Sequence, residues 1–160
     1  MLKPDKIEIT IPGKPIAKKR PRFARIGKGV RTYSDQHTDE GRMLLFIQAA
    51  GCKPISGPLS VDLEFVLPRP KSHYGTGRNA GVLKASMLNA LPVSKPDVDN
   101  FGKMVLDVCN GVLWRDDAAV VYLSASKRYG ENPRTIIRVE AVDSICLAWR
   151  HGYSLSDEKA

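Results

Sequence analysis

Acidic residues are missing from two long stretches of this chain: none occurs between Pro12 and Ser34, and none between Phe65 and Pro96. Cysteine is scarce. Cys52, Cys109 and Cys146 are far apart and form no CxxC pair, which argues against a disulfide scaffold or a cysteine zinc site and fits a reducing cytosol. No run of about 18 apolar residues is present, so no membrane span is expected. The opening MLKPDKIEIT places proline and charge where a signal peptide needs an apolar stretch, so a cytoplasmic protein is expected rather than a secreted one. HExxH, P-loop and GxSxG motifs are absent, and His37, His73 and His151 stand in polar contexts that read as surface.

What the chain does have is charge. Twenty-five Lys and Arg against seventeen Asp and Glu leave +8 on 160 residues, of which 42% are hydrophobic. That is one domain's length with enough apolar material for a core, which excludes wholesale disorder. The first acid-free stretch holds Lys14, Lys18, Lys19, Arg20, Arg22, Arg25, Lys28 and Arg31, and the second holds Arg69, Lys71, Arg78, Lys84 and Lys95. Phe23, Tyr33 and Tyr74 sit among them. Cations this crowded repel one another unless a polyanion relieves them, so a phosphate backbone is the natural partner. A merely solvated basic surface is the plainer alternative.

Hydrophobic periodicity gives a coarse map. Ile7, Ile9 and Ile11 alternate with polar residues, and Leu59 to Leu67 alternates more cleanly still, so both read as strands. Met43, Phe46, Ile47 and Ala50 recur at helical spacing after Ser34-Asp35, and Gly51 closes that element. Residues 68–96 keep no sustained period and read as a long loop. Phe101, Met104, Val105 and Val108 form a second helical stripe that stops at Asn110-Gly111. Cys109, on the same helix, reads as packing. Two strands follow, near 119–127 and 134–142. The expectation is a single α/β (α+β) domain over residues 1–142, a mixed β-sheet with two helices packed on it. Residues 143–160 are a C-terminal extension of unassigned role.

The chemistry concentrates in Lys95-Pro96-Asp97-Val98-Asp99-Asn100-Phe101-Gly102-Lys103 and in Arg115-Asp116-Asp117. Asp97 and Asp99 stand at a helix start, Lys103 lies one turn beyond Asp99, and Asp116-Asp117 precedes a strand that returns toward the sheet. If that return places the late pair beside the early one, the carboxylates repel unless a cation neutralises them. All-oxygen ligation suits Mg²⁺, with Mn²⁺ as a substitute. Such a centre activates water against a phosphodiester, and a neighbouring lysine stabilises the added charge. The same residues also allow a blander account, in which Asp97 or Asp99 caps a helix, Asp99–Lys103 is an exposed ion pair and Asp116-Asp117 forms a turn.

The stretch KPDVDNFGKMVLDVCNGVLWRDDAAV resembles the signature of RusA-type Holliday junction resolvases, and GKPIAKKRPRF resembles the basic N-terminal segment of part of that family. The resemblance runs from about Ile7 to Val142 and is specific only over 95–121. It implies a RusA-like fold and a homodimeric, Mg²⁺-dependent endonuclease that cuts four-way DNA junctions by paired symmetrical nicks, with no small-molecule cofactor and no membrane. The host would be a bacterial cell, with phage or prophage coding possible. By position it implies Asp97, Asp99 and Asp117 as metal ligands, Asp116 as an accessory acid and Lys103 as the catalytic lysine, with Asp107 orienting Lys103. Lys14, Lys18, Lys19, Arg20, Arg22, Arg25, Arg31, Arg69, Lys71 and Lys95 are the candidate DNA contacts. A less selective structure-specific nuclease, and a non-catalytic nucleic-acid-binding module, remain open alternatives.

Overall fold

The computed structural model describes residues 6–19, 22–26, 29–33 and 37–143, and for 22–26 and 29–33 the backbone alone. Strand β1 (Lys6–Pro12) turns Ile9 and Ile11 into the core and pairs antiparallel with β6 (Arg134–Ala141), Ile9 opposite Ile137. β4 (Leu59–Leu67) pairs antiparallel with β6 and parallel with β5 (Val120–Tyr129), giving the order β1-β6-β4-β5. Leu59, Val61, Leu63 and Phe65 on one face of β4 are wholly buried. Helices α1 (His37–Ala49) and α2 (Val98–Cys109) supply the cover for that face. This is the expected mixed sheet with two helices.

A parallel strand pair needs a crossover, and α2 is the crossover between β4 and β5. The helix therefore runs antiparallel to both strands. Phe101 stacks on Phe65 at 5.0 Å, and one turn onward the apolar positions Met104, Val105, Val108 and Cys109 are buried. Gly102 lies against Leu63, where an added Cβ would stand 3.9 Å from the leucine's Cδ1. So α2 begins at the C-terminal ends of β4 and β5 and finishes at their N-terminal ends.

Two features differ from the sequence expectation, and a third follows from the alternation read in β4. A hairpin, β2 (Arg22–Ile26) and β3 (Gly29–Tyr33), fills part of the basic N-terminal segment. The residues at 68–96 form a folded excursion, with short 3-10 turns at Lys71–His73, Gly77–Asn79 and Ala85–Met87 and a bridge between Tyr74 and Leu83. The sheet's second face carries polar rows, in which Arg138 bonds Asp62 at 2.9 Å, Glu8 at 3.2 Å and Glu64 at 3.4 Å. Arg128 bonds Glu64 at 2.6 Å, and Ser124 donates to Asp62. Among the described residues no helix is long and apolar enough to cross a membrane. The extension from 144 onward lies outside the described residues.

Candidate active site

Asp97 is the N-cap of α2, with extended backbone (φ −74°, ψ 151°), yet its carboxylate makes no cap hydrogen bond. Asp99 occupies the first turn, and both acids are exposed. Lys103 Nζ stands 3.4 Å from Asp99 Oδ2, with both side chains more than 60% exposed (63% and 61%). A pair that open to water contributes only a few tenths of a kcal/mol, so it leaves both groups available.

A residue that the sequence did not single out completes this end. Lys127 projects from β5, opposite Phe65, and donates to the Ser94 and Pro96 carbonyls at 2.8 and 3.0 Å. Nothing in Ser124-Ala125-Ser126-Lys127 marks it, because a strand lysine ordinarily reads as surface.

Asp116 and Asp117 sit at the other end of α2. After the helix the chain coils tightly, with Val112 and Leu113 amides bonded to the Cys109 carbonyl and Gly111 N–H to Trp114. Leu113 and Trp114 are wholly buried, and a buried indole N–H requires an acceptor. Asp117 Oδ1 provides it at 2.6 Å. Asp116 Oδ1 accepts from the Ala118 amide at 2.9 Å and caps the following turn. Burial, aided by the Asp117 charge, pushes the Cys109 thiol up to about 12, so Cys109 remains a packed, unreactive thiol, as expected.

Ten residues of helix separate the level of Asp99 from that of Cys109, or about 15 Å at 1.5 Å per residue. Within one chain the structure brings Asp97, Asp99 and Lys103 together and leaves Asp116 and Asp117 apart from them. Among the described residues no three or more of His, Cys, Asp and Glu gather to hold a metal ion. The expectation that the returning chain sets the late pair beside the early one is corrected by the crossover: the coil after Cys109 delivers Asp117 to the start of β5. Asp97, uncapped, and Asp99, paired with Lys103, are both exposed oxygen donors of the kind that suits Mg²⁺, which keeps several waters and binds through one or two carboxylates plus substrate phosphate.

The basic residues also sort differently from expectation. Lys18 Nζ is 2.8 Å from both Asp107 and Glu40, and its amide donates to the Asn100 carbonyl at 2.8 Å. Hydrogen bonds to Asp107 and then Glu40 hold its ammonium above the usual lysine range. Asp107 thus engages Lys18, whereas Lys103 pairs with Asp99. Lys19 is 4.0 Å from Asp39. Arg69 donates to the Met87 and Leu88 carbonyls at 2.7 and 2.9 Å and lies over the Tyr129 ring. Lys14, Lys71 and Lys95 are exposed. Arg22, Arg25 and Arg31 lie on the hairpin strands, and Arg20 falls outside the described residues.

These observations define a class: an α+β domain with a four-stranded mixed sheet, an acid–lysine group at a crossover helix start and a separate two-stranded hairpin that carries Arg22, Arg25 and Arg31. The sequence profile of "Endodeoxyribonuclease RusA" matches residues 12–140, and the chain belongs to that endodeoxyribonuclease family. It is also similar to "Uncharacterized protein YqaN" of Bacillus subtilis (strain 168), at 32% identity over 143 residues, covering 88% of this chain and 99% of that protein.

Proposed function

We propose that this protein is a Mg²⁺-dependent endonuclease, acting in the bacterial cytoplasm, that resolves four-way DNA junctions by paired symmetrical nicks during recombination and repair. The observation that carries the reading is the exposed Asp97–Asp99–Lys103 group, with its uncapped aspartate, in a chain of an endodeoxyribonuclease family. Asp97 and Asp99 would hold the ion, for which Mn²⁺ is a substitute. Once bound, the ion supplies an activated water and neutralises charge on the phosphate. Lys103 stabilises the negative charge that builds on the phosphodiester. The hairpin and the exposed lysines grip the backbone.

Asp117 enters this scheme through a second copy of the chain. Because it lies a helix length from Asp99, a centre using both needs the far end of another subunit. β5 is an edge strand with Val121 and Leu123 exposed at 53% and 45%, and unpaired edges invite pairing. Antiparallel pairing of two β5 edges about a two-fold axis would carry Asp117 of the partner subunit toward Lys127 and the start of α2. Two-fold symmetry also matches two equivalent cuts in a junction.

A synthetic four-way junction and a linear duplex, each incubated with Mg²⁺ or with chelator, test the proposal when products are mapped at nucleotide resolution. Symmetrical nicks in the junction alone, lost with chelator, are expected. Equal cutting of duplex would make the protein a less selective nuclease. Binding without cleavage in Mg²⁺ would leave a non-catalytic module.

A further inference from the structure

We infer that Lys127 is a positioning residue for the Asp97–Asp99 centre, an inference that rests on the proposed nuclease activity. Its register partner is Phe65, on the helix-covered face of the sheet, and it alternates there with Leu123, Ala125 and Tyr129. Lys127 is half-buried and spans from the strand to the segment that feeds α2, where two protons go to Ser94 O (2.8 Å) and Pro96 O (3.0 Å).

The choice of carbonyls matters. Residues 94–96 belong to neither helix nor strand, so no ladder fixes them. The Pro96 carbonyl shares a planar peptide unit with the Asp97 nitrogen. Holding that oxygen holds the plane from which Asp97 departs, and Asp99 follows within the same turn. Asp97 lacks the cap bond that would otherwise fix its side chain; Lys127 instead fixes its backbone from the sheet. A misplacement of about 1 Å in a catalytic group costs about a hundredfold in rate, so the anchor acts on turnover and not on DNA affinity.

Lys127→Met keeps the aliphatic stem and removes the ammonium, and Lys127→Gln keeps one amide donor. Junction affinity, single-turnover nicking at saturating junction, the Mg²⁺ concentration giving half-maximal rate, and melting temperature are measured for both beside wild type. The expected result is affinity within about threefold of wild type and a rate for Lys127→Met lowered about ten- to a hundredfold. Gln falls between, and the half-maximal Mg²⁺ concentration moves upward. A Met variant cutting within about twofold of wild type at every Mg²⁺ concentration overturns the inference. So does a variant whose only defect is weaker junction binding, which would make Lys127 a phosphate contact. If Lys127→Met melts below the assay temperature, Lys127→Gln is read alone against the same twofold limit. Wild-type chain that binds junctions and cuts none rejects the nuclease itself, and this inference with it. Wild-type cutting together with unaffected variants rejects Lys127 alone.

Discussion

An aspartate at a helix N-cap ordinarily turns an oxygen onto the free amides of the first turn, and Asp97 does not. In the proposed scheme that carboxylate serves as a ligand and not as a cap. Asp97→Asn and Asp99→Asn are expected to lower nicking by at least about a hundredfold with junction affinity retained, since removing negative charge does not weaken attraction to DNA. Gel-shift and single-turnover assays check this, and full turnover by either variant would reject the assignment. Asp117 carries a second burden, the Trp114 indole. Asp117→Asn keeps an acceptor oxygen and should fold normally, whereas Asp117→Ala strands a buried N–H at a cost of about 1–3 kcal/mol, visible as a lower melting temperature. At this scale the sequence singled out Asp97, Asp99 and Lys103 as candidates through their spacing, and the structure places them at the start of α2. Nothing in the composition marked Lys127, and composition could not show that Lys18 and Arg69, both candidate DNA contacts, also bond carboxylates or carbonyls within the chain.

Elements with an apolar period were legible: β4, α2 and β6 stand where alternation and the helical stripe put them, since burial dictates both, and β5 stands where it was read although none of its residues is fully buried. The β2–β3 hairpin was not legible, because its rows include Arg22, Arg25 and Arg31 in place of apolar markers. The Lys18 ion pairs with Glu40 and Asp107 bear on DNA binding. Lys18→Met should leave the slope of affinity against salt nearly unchanged, whereas alanine at Arg22, Arg25 and Arg31 should lower it by about 0.9 for each phosphate no longer neutralised; the reverse pattern would return Lys18 to the DNA surface. The polar face of the sheet supplies a pH signature. Burial pushes the Glu64 carboxyl up, but the Arg128 and Arg138 guanidiniums outweigh it and leave it below its ordinary value. The unfolded chain then binds that proton more readily, so the stabilisation is full above the unfolded carboxylate pKa of about 4.3 and fades as pH falls through the lower folded value. Glu64→Gln should flatten that acid limb in thermal melts recorded from about pH 5 to pH 3; an unchanged limb would place the dependence in other carboxylates.

The proposed centre draws on both ends of the crossover helix, Asp97 and Asp99 at one and Asp117 at the other, and the helix length between them decides what a single chain can do. Sequence proximity suggested a shared pocket because eighteen positions from Asp99 to Asp117 include a helix that reverses the chain; the reversal in fact brings the chain back only to the strand's beginning. In the proposed dimer each complete centre combines Asp97 and Asp99 of one subunit with Asp117 of its partner. Asp99→Asn and Asp117→Asn are each inactive as homodimers in that scheme. Co-expression of the two should restore cutting, because a mixed dimer has one centre with every ligand intact and one that lacks two. The product should be a singly nicked junction, since paired incision needs both centres. If every ligand of a centre came from one chain, each centre of the mixed dimer would still lack an aspartate, and no restoration would follow. Nicking by the mixed dimer therefore distinguishes a centre shared across the two-fold axis from one closed within a subunit, and a mixture as inactive as its parents, beside an active wild-type dimer, rules the shared centre out.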